Sequence, residues 1–183
     1  MSNYKFDENL ELKILKDEEV ENVICTPVTK EEASEIIKLG EKMIEICSEN
    51  NGIGLAAPQV GVNKRMFVWM NGMNTFQIVL NPSFIPQEKK KTHTVEGCLS
   101  YPGRDFYMER YKRILAKFQT FSNGKFFNWT KQYSSEKAFI FSHEFDHLNG
   151  ITVATNGKEL FLRDKNKPGV SEETSEETNK LES

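Results

Sequence analysis

His143 and His147 stand four residues apart with Glu144 and Asp146 between them. On a helix that spacing stacks the two imidazoles on one face, where both can reach a single divalent ion. Glu144 is offset by one position, so it can lean over the ion's open side and move a proton without serving as a ligand. Two imidazoles leave the ion short of protein ligands, and a third must come from elsewhere in the chain. A third histidine three residues past Gly150 would complete one arrangement, but Val153 stands there. Glu159 is the nearest downstream carboxylate that would complete another. Upstream, the glycine-flanked stretch VEGCLSYPG offers Cys98, a thiolate with small neighbours that let it approach an ion closely. Cys98, His143 and His147 together would make a one-sulfur, two-nitrogen site with a position left open.

The elements that must hold these residues are partly visible. From Glu31 to Glu49 the residues Ala33, Ile36, Ile37, Met43, Ile44 and Cys47 recur at three and four spacings with Gly40 in line. That period predicts an amphipathic helix near the N-terminus, on which Cys47 is a small core residue. Thr29 and Glu32 form a capping-box pattern at its start. The stretch NNGIGLAAPQVG breaks the period and reads as irregular backbone. RMFVWM, FQIVLNP and RILAKFQTFSNGKFFNW read as strands, the last stretch being a pair joined by the turn signal Asn123-Gly124. Apolar residues from Ala138 to Phe145 predict a helix from about Ser134 to Asn149, stopped by Gly150 and carrying both histidines. The expected fold is therefore α+β: small antiparallel or mixed sheets packed around a C-terminal metal-binding helix, with an N-terminal amphipathic helix. One catalytic domain over 1–163 is expected. The segment 164–183, with its tandem SEET, holds too few apolar residues to order itself and reads as a disordered acidic tail.

Composition narrows the function classes. The chain has 183 residues and a net charge of -3, from 24 basic and 27 acidic side chains. That balance supplies no cationic field for direct nucleic-acid or anionic-membrane binding. No apolar run approaches a membrane span. The N-terminal residues lack the layout of a signal or transit peptide, so a soluble, cytoplasmic monomer is expected. Three cysteines at unrelated spacings argue against a disulfide framework. His93 reads as a solvated loop residue.

Three separated stretches, GIGLAAPQ, EGCLS and HEFDH, resemble in order the three motifs of the peptide deformylase family. The resemblance extends to the α+β layout from about residue 10 to 150. It implies removal of the formyl group from the N-terminal formyl-methionine of nascent peptides, with one Fe2+ that Zn2+, Ni2+ or Co2+ can replace. It assigns Cys98, His143 and His147 as ligands and Glu144 as the proton-transfer group. It also assigns the Gln59 amide and the Leu99 backbone N–H as donors to the developing oxyanion. Backbone around Ile53, Gly54 and Gly97 would pair with the extended substrate. Phe139 and Ile140, four and three residues before His143 on one helix face, would wall the methionine pocket. Glu96 and Arg110 match a carboxylate–arginine pair behind the metal. Two positions and one stretch depart from the family pattern. Ser142 replaces a common glutamine, and Asp105 replaces an arginine for which Arg104 could substitute. Residues after Gly150 do not resemble the family's C-terminal helix, so its ribosome-docking role is not carried over. The other readings are a different metallohydrolase, such as a peptidase or amidase, and an inactive peptide-binding relative.

Overall fold

Four successive residues, Met66 to Trp69, are completely buried, which in an extended chain requires cover on both faces of the sheet. The computed structural model, which describes residues 4–7, 11–72 and 75–160, supplies that cover from two helices. Met66 and Val68 lie on strand β2 (Met66–Gly72) and pack with Ile36, Leu39, Met43 and Cys47 of helix α1 (Ala33–Glu49). Phe67 and Trp69 point the other way, onto Ala138 and Phe141 of helix α2 (Glu136–His147). The acidic tail expected from residue 164 lies outside the described residues.

The larger sheet has the order β1-β2-β3-β6-β7, adding β1 (Gly54–Ala56), β3 (Thr75–Pro86), β6 (Arg113–Ser122) and β7 (Lys125–Ser134). Asn123 and Gly124 both take positive φ, +49° and +70°, as a tight hairpin between right-twisted strands requires. A smaller sheet has the order β4-β5-β8, formed by β4 (Thr92–Gly97), β5 (Asp105–Arg110) and β8 (Lys158–Leu160). Every described ladder is antiparallel, so the allowance for mixed sheets reduces to one isolated parallel bridge, Thr26 to Lys64. A separate core of Val20, Tyr101, Phe106, Met108 and Val153 lies under the smaller sheet.

Several boundaries differ from the sequence expectations. Helix α1 begins at Ala33 after a turn, and only the reciprocal part of the expected box forms: the Glu32 carboxylate accepts the Thr29 N–H at 2.8 Å. Helix α2 is shorter at both ends, because Ser134 still belongs to the β6–β7 ladder and Leu148 ends the helix. Gly150 follows with φ +71°, and a Cβ there would sit 2.8 Å from the backbone of Asn22 and Val23. The stretch expected to be irregular, around Ile53, contains β1 and a 3-10 turn at Ala57–Val60. Its three-residue strand is too short to leave a period in the sequence. His93 lies on β4, not on a loop; it is exposed, with its ring 5.3 Å from Tyr107. Past Gly150 there is one helical turn, α3 (Val153–Asn156), before β8.

Candidate metal centre

Helix α2 is fixed in place by Phe141, whose ring meets Phe67 at 5.2 Å, Trp69 at 5.7 Å and Tyr133 at 5.8 Å. Removing such a buried ring costs about 3–5 kcal/mol. Two residues further on, the helix turns His143 toward β4 and the loop that follows it. Cys98 begins that loop, and its Sγ lies 3.4 Å from His147 Nε2. The thiol and both imidazoles offer ligand atoms that all lie within 4.8 Å of one another. Glu159 is not among them, because it pairs with Arg104 at 2.7 Å.

His143 Nδ1 is 3.0 Å from Glu96 Oε2, which leaves its Nε2 for the ion. The Glu96 carboxylate also accepts both Nε and Nη2 of Arg110, each at 2.8 Å. Sequence reasoning missed the third member of this cluster: Asp146 takes the remaining arm of Arg110. Its signal was the three-residue spacing from His143, which puts both side chains on one helix face. Burial alone would raise the Glu96 carboxyl, but Arg110 and His143 outweigh it and hold the group well below the usual carboxylate range. Burial holds His147 well below its ordinary value, and so neutral, as a ligand imidazole must be. His147 Nδ1, unlike that of His143, has no hydrogen-bond partner.

Glu144 is 3% exposed, and its Oε2 is buried without a partner. Burial pushes its carboxyl up to about 7, the range in which a proton shuttle works near neutral pH. Gly54 makes room for it: a Cβ at that position would stand 2.7 Å from Glu144 Cδ. Gln59 is oriented from both ends of its amide. Its Oε1 accepts the Ala56 N–H at 2.8 Å, and its Nε2 donates to Ser100 Oγ at 3.1 Å and lies 3.5 Å from Cys98 Sγ. Ser100, fully buried, is a second residue that sequence reasoning missed; nothing in its spacing marks it.

A cleft of about 910 Å³ opens over these groups, lined by Ile53, Gly54, Gly97, Leu99, Phe139 and Ile140 among others. The structure thus brings every sequence-selected residue to one place, with Arg110 lying behind it. Ile53 exposes its side chain at the cleft while its carbonyl accepts the Met70 N–H at 2.8 Å, so that carbonyl is already engaged in the sheet. Arg104 lines the cleft too, but its guanidinium is held by Glu159 and by Asp17 at 2.9 Å, which argues against a substituting role. The Ser142 hydroxyl donates to the Ala138 carbonyl of its own helix.

An ion would find one thiolate and two imidazoles converging, a carboxylate beside them with an unpartnered oxygen, and a ligand imidazole oriented from behind. This donor set fits a divalent ion of the zinc or iron type. Residues 12–160 match the sequence profile of the family described as polypeptide deformylase. The chain is 39% identical over 142 residues to the peptide deformylase of Thermotoga maritima, across 76% of this chain and 84% of that one. It is 35% identical over 134 residues to that of Finegoldia magna, across 68% and 80% of the two chains. The crystal structure of the Thermotoga maritima enzyme superposes with a TM-score of 0.70 at 32% identity, covering 81% of this chain and 98% of that one. The peptide deformylase of Vibrio parahaemolyticus bacteriophage VP16T, solved with actinonin, gives 0.69 at 31% identity over 78% and 100%. Since the matched span takes in α1, all eight described strands and the convergent Cys98, His143 and His147, the chain belongs to the polypeptide deformylase family.

Proposed function

We propose that this chain hydrolyses the N-formyl group from the N-terminal formyl-methionine of newly made polypeptides, using one divalent ion held by Cys98, His143 and His147. The observation that carries this reading is the convergence of those three donors beside a cleft that Cys98, His143, Glu144 and Gln59 line. When bound, the ion supplies Lewis-acid chemistry and makes hydroxide available from water near neutral pH. Glu144 takes the proton of the attacking water and returns it to the departing amine. The Gln59 amide and the Leu99 N–H are fixed in advance as donors to the formyl oxygen, where charge grows. Phe139 and Ile140, half-buried on α2, wall the methionine side chain. The extended peptide runs past Gly54 and Gly97 toward the open edge of β4. Fe2+ is proposed as the native ion from the likeness to the family, and the same donors accept Zn2+, Ni2+ or Co2+.

We place the enzyme in the cytoplasm as a monomer acting on nascent peptides, without direct nucleic-acid contact. No described helix is long and apolar enough to cross a membrane. The test compares turnover of formyl-Met-Ala-Ser with that of acetyl-Met-Ala-Ser and of an unmodified peptide. Rapid release of formate alone is expected. Cleavage of an internal peptide bond at comparable rate would replace this reading with a peptidase.

A further inference from the structure

The segment Leu15–Asp17, outside all three motifs, ties together the two groups assigned to the formyl oxygen. The Leu15 N–H donates to the Gln59 carbonyl at 2.8 Å, and the Asp17 N–H donates to the Ser100 carbonyl at 3.0 Å. Between them the Lys16 ammonium donates to the Leu99 carbonyl at 2.7 Å, and Lys16 itself lines the cleft. A cationic donor makes this a stronger bond than one between neutral groups.

The acceptor's position gives that bond its consequence. Residues Cys98 to Tyr101 form a turn closed by the Tyr101 N–H on the Cys98 carbonyl at 2.9 Å. The central peptide of such a turn, here the Leu99 carbonyl and Ser100 N–H, is not held by the turn's own bond. A half-turn of that peptide is what separates the type I and type II orientations. Neither Leu99 nor Ser100 has a positive φ, so the turn is not of type II, which would require positive φ at Ser100. Rotation would swing Ser100 and its hydroxyl, the acceptor that aims the Gln59 amide. The ammonium on the Leu99 carbonyl opposes that rotation.

We propose that Lys16 is a positioning residue for deformylation: it locks the central peptide of the Cys98–Tyr101 turn, and through Ser100 Oγ it holds Gln59 at the angle the formyl oxygen requires. This rests on the deformylase reading and on Gln59 and Leu99 being its donors. Small misplacements of a catalytic donor are expensive in rate, and Lys16→Met should lower kcat about tenfold with little change in KM. Lys16→Arg, which keeps a cationic donor, should recover most of the loss. Lys16 is exposed, so the melting temperature of Lys16→Met should match wild type.

A second readout does not depend on turnover. In metal-free protein, amide hydrogen exchange at Leu99 and Ser100 should quicken in Lys16→Met and return to the wild-type rate in Lys16→Arg. Wild-type kcat in Lys16→Met overturns the proposal, as does unchanged exchange in that variant. A loss that appears in KM alone also overturns it. If wild-type protein releases no formate, the deformylase reading fails by itself, and exchange still reports whether Lys16 holds the turn.

Discussion

Glu144 has the features of a base rather than of a polar helix residue. It is buried, one of its oxygens has no partner, and burial pushes its carboxyl up to about 7. A structural glutamate in that setting would be paired. Replacing it by Gln keeps the shape and removes the proton acceptor, and acid–base steps of this kind contribute roughly 10²- to 10⁴-fold. Glu144→Gln should therefore lower kcat at least about a hundredfold, with ion content and KM near wild type. Turnover within a few-fold of wild type at equal ion content would exclude Glu144 as the shuttle. At this scale the sequence was legible where spacing constrains geometry, as for His143 and His147. Cys98 was narrower: its residue type and small neighbours made it a candidate beside Glu159, and only the family likeness chose between them. Ser100 was not legible, since a serine in a loop reads as solvated until the fold buries it.

Among elements, α1 was plain because its apolar residues keep a helical period over most of its length. Strand β2 was plain because Met66 to Trp69 is covered on both faces and continuously apolar, and β3 was readable from its short apolar run Ile78, Val79 and Leu80. By contrast β4, THTVEG, alternates partly buried with exposed residues and has only one large aliphatic side chain, the exposed Val95. A strand that buries no aliphatic side chain leaves little pattern to read. The start of α1 carries its own prediction. Glu32 is 2% exposed and accepts from Lys64 Nζ at 2.9 Å, the Thr29 N–H and the Tyr4 N–H. Burial alone would raise its carboxyl, but these donors outweigh it and leave the group below its ordinary value of 4.5. A lowered folded value means the stabilisation is present above the unfolded value and is lost as pH falls through the folded one. Glu32→Gln should thus be less stable than wild type by about 1–3 kcal/mol at neutral pH. The gap in melting temperature should close as pH drops below about 4. A gap that stays constant into acid would show that the charge of Glu32 contributes nothing.

For the whole molecule, the centre depends on two sheets meeting at one helix. The larger sheet holds α2 through its aromatic face. The smaller sheet delivers Glu96 and Arg110 from β4 and β5, and Cys98 from the loop after β4. Three stretches far apart in the chain therefore make one site, and this convergence was visible in the sequence only through the family likeness. Local periodicity does not encode which sheet edge faces which helix. The convergent site is proposed to work with one ion, and formate release from formyl-Met-Ala-Ser checks this. Release is measured on protein as purified without oxygen, after chelation, and after one equivalent of Fe2+ per chain is returned. Turnover should be lost on chelation and restored at one ion per chain, with no restoration in Cys98→Ser. Full-rate formate release from chelated, metal-free protein would contradict it.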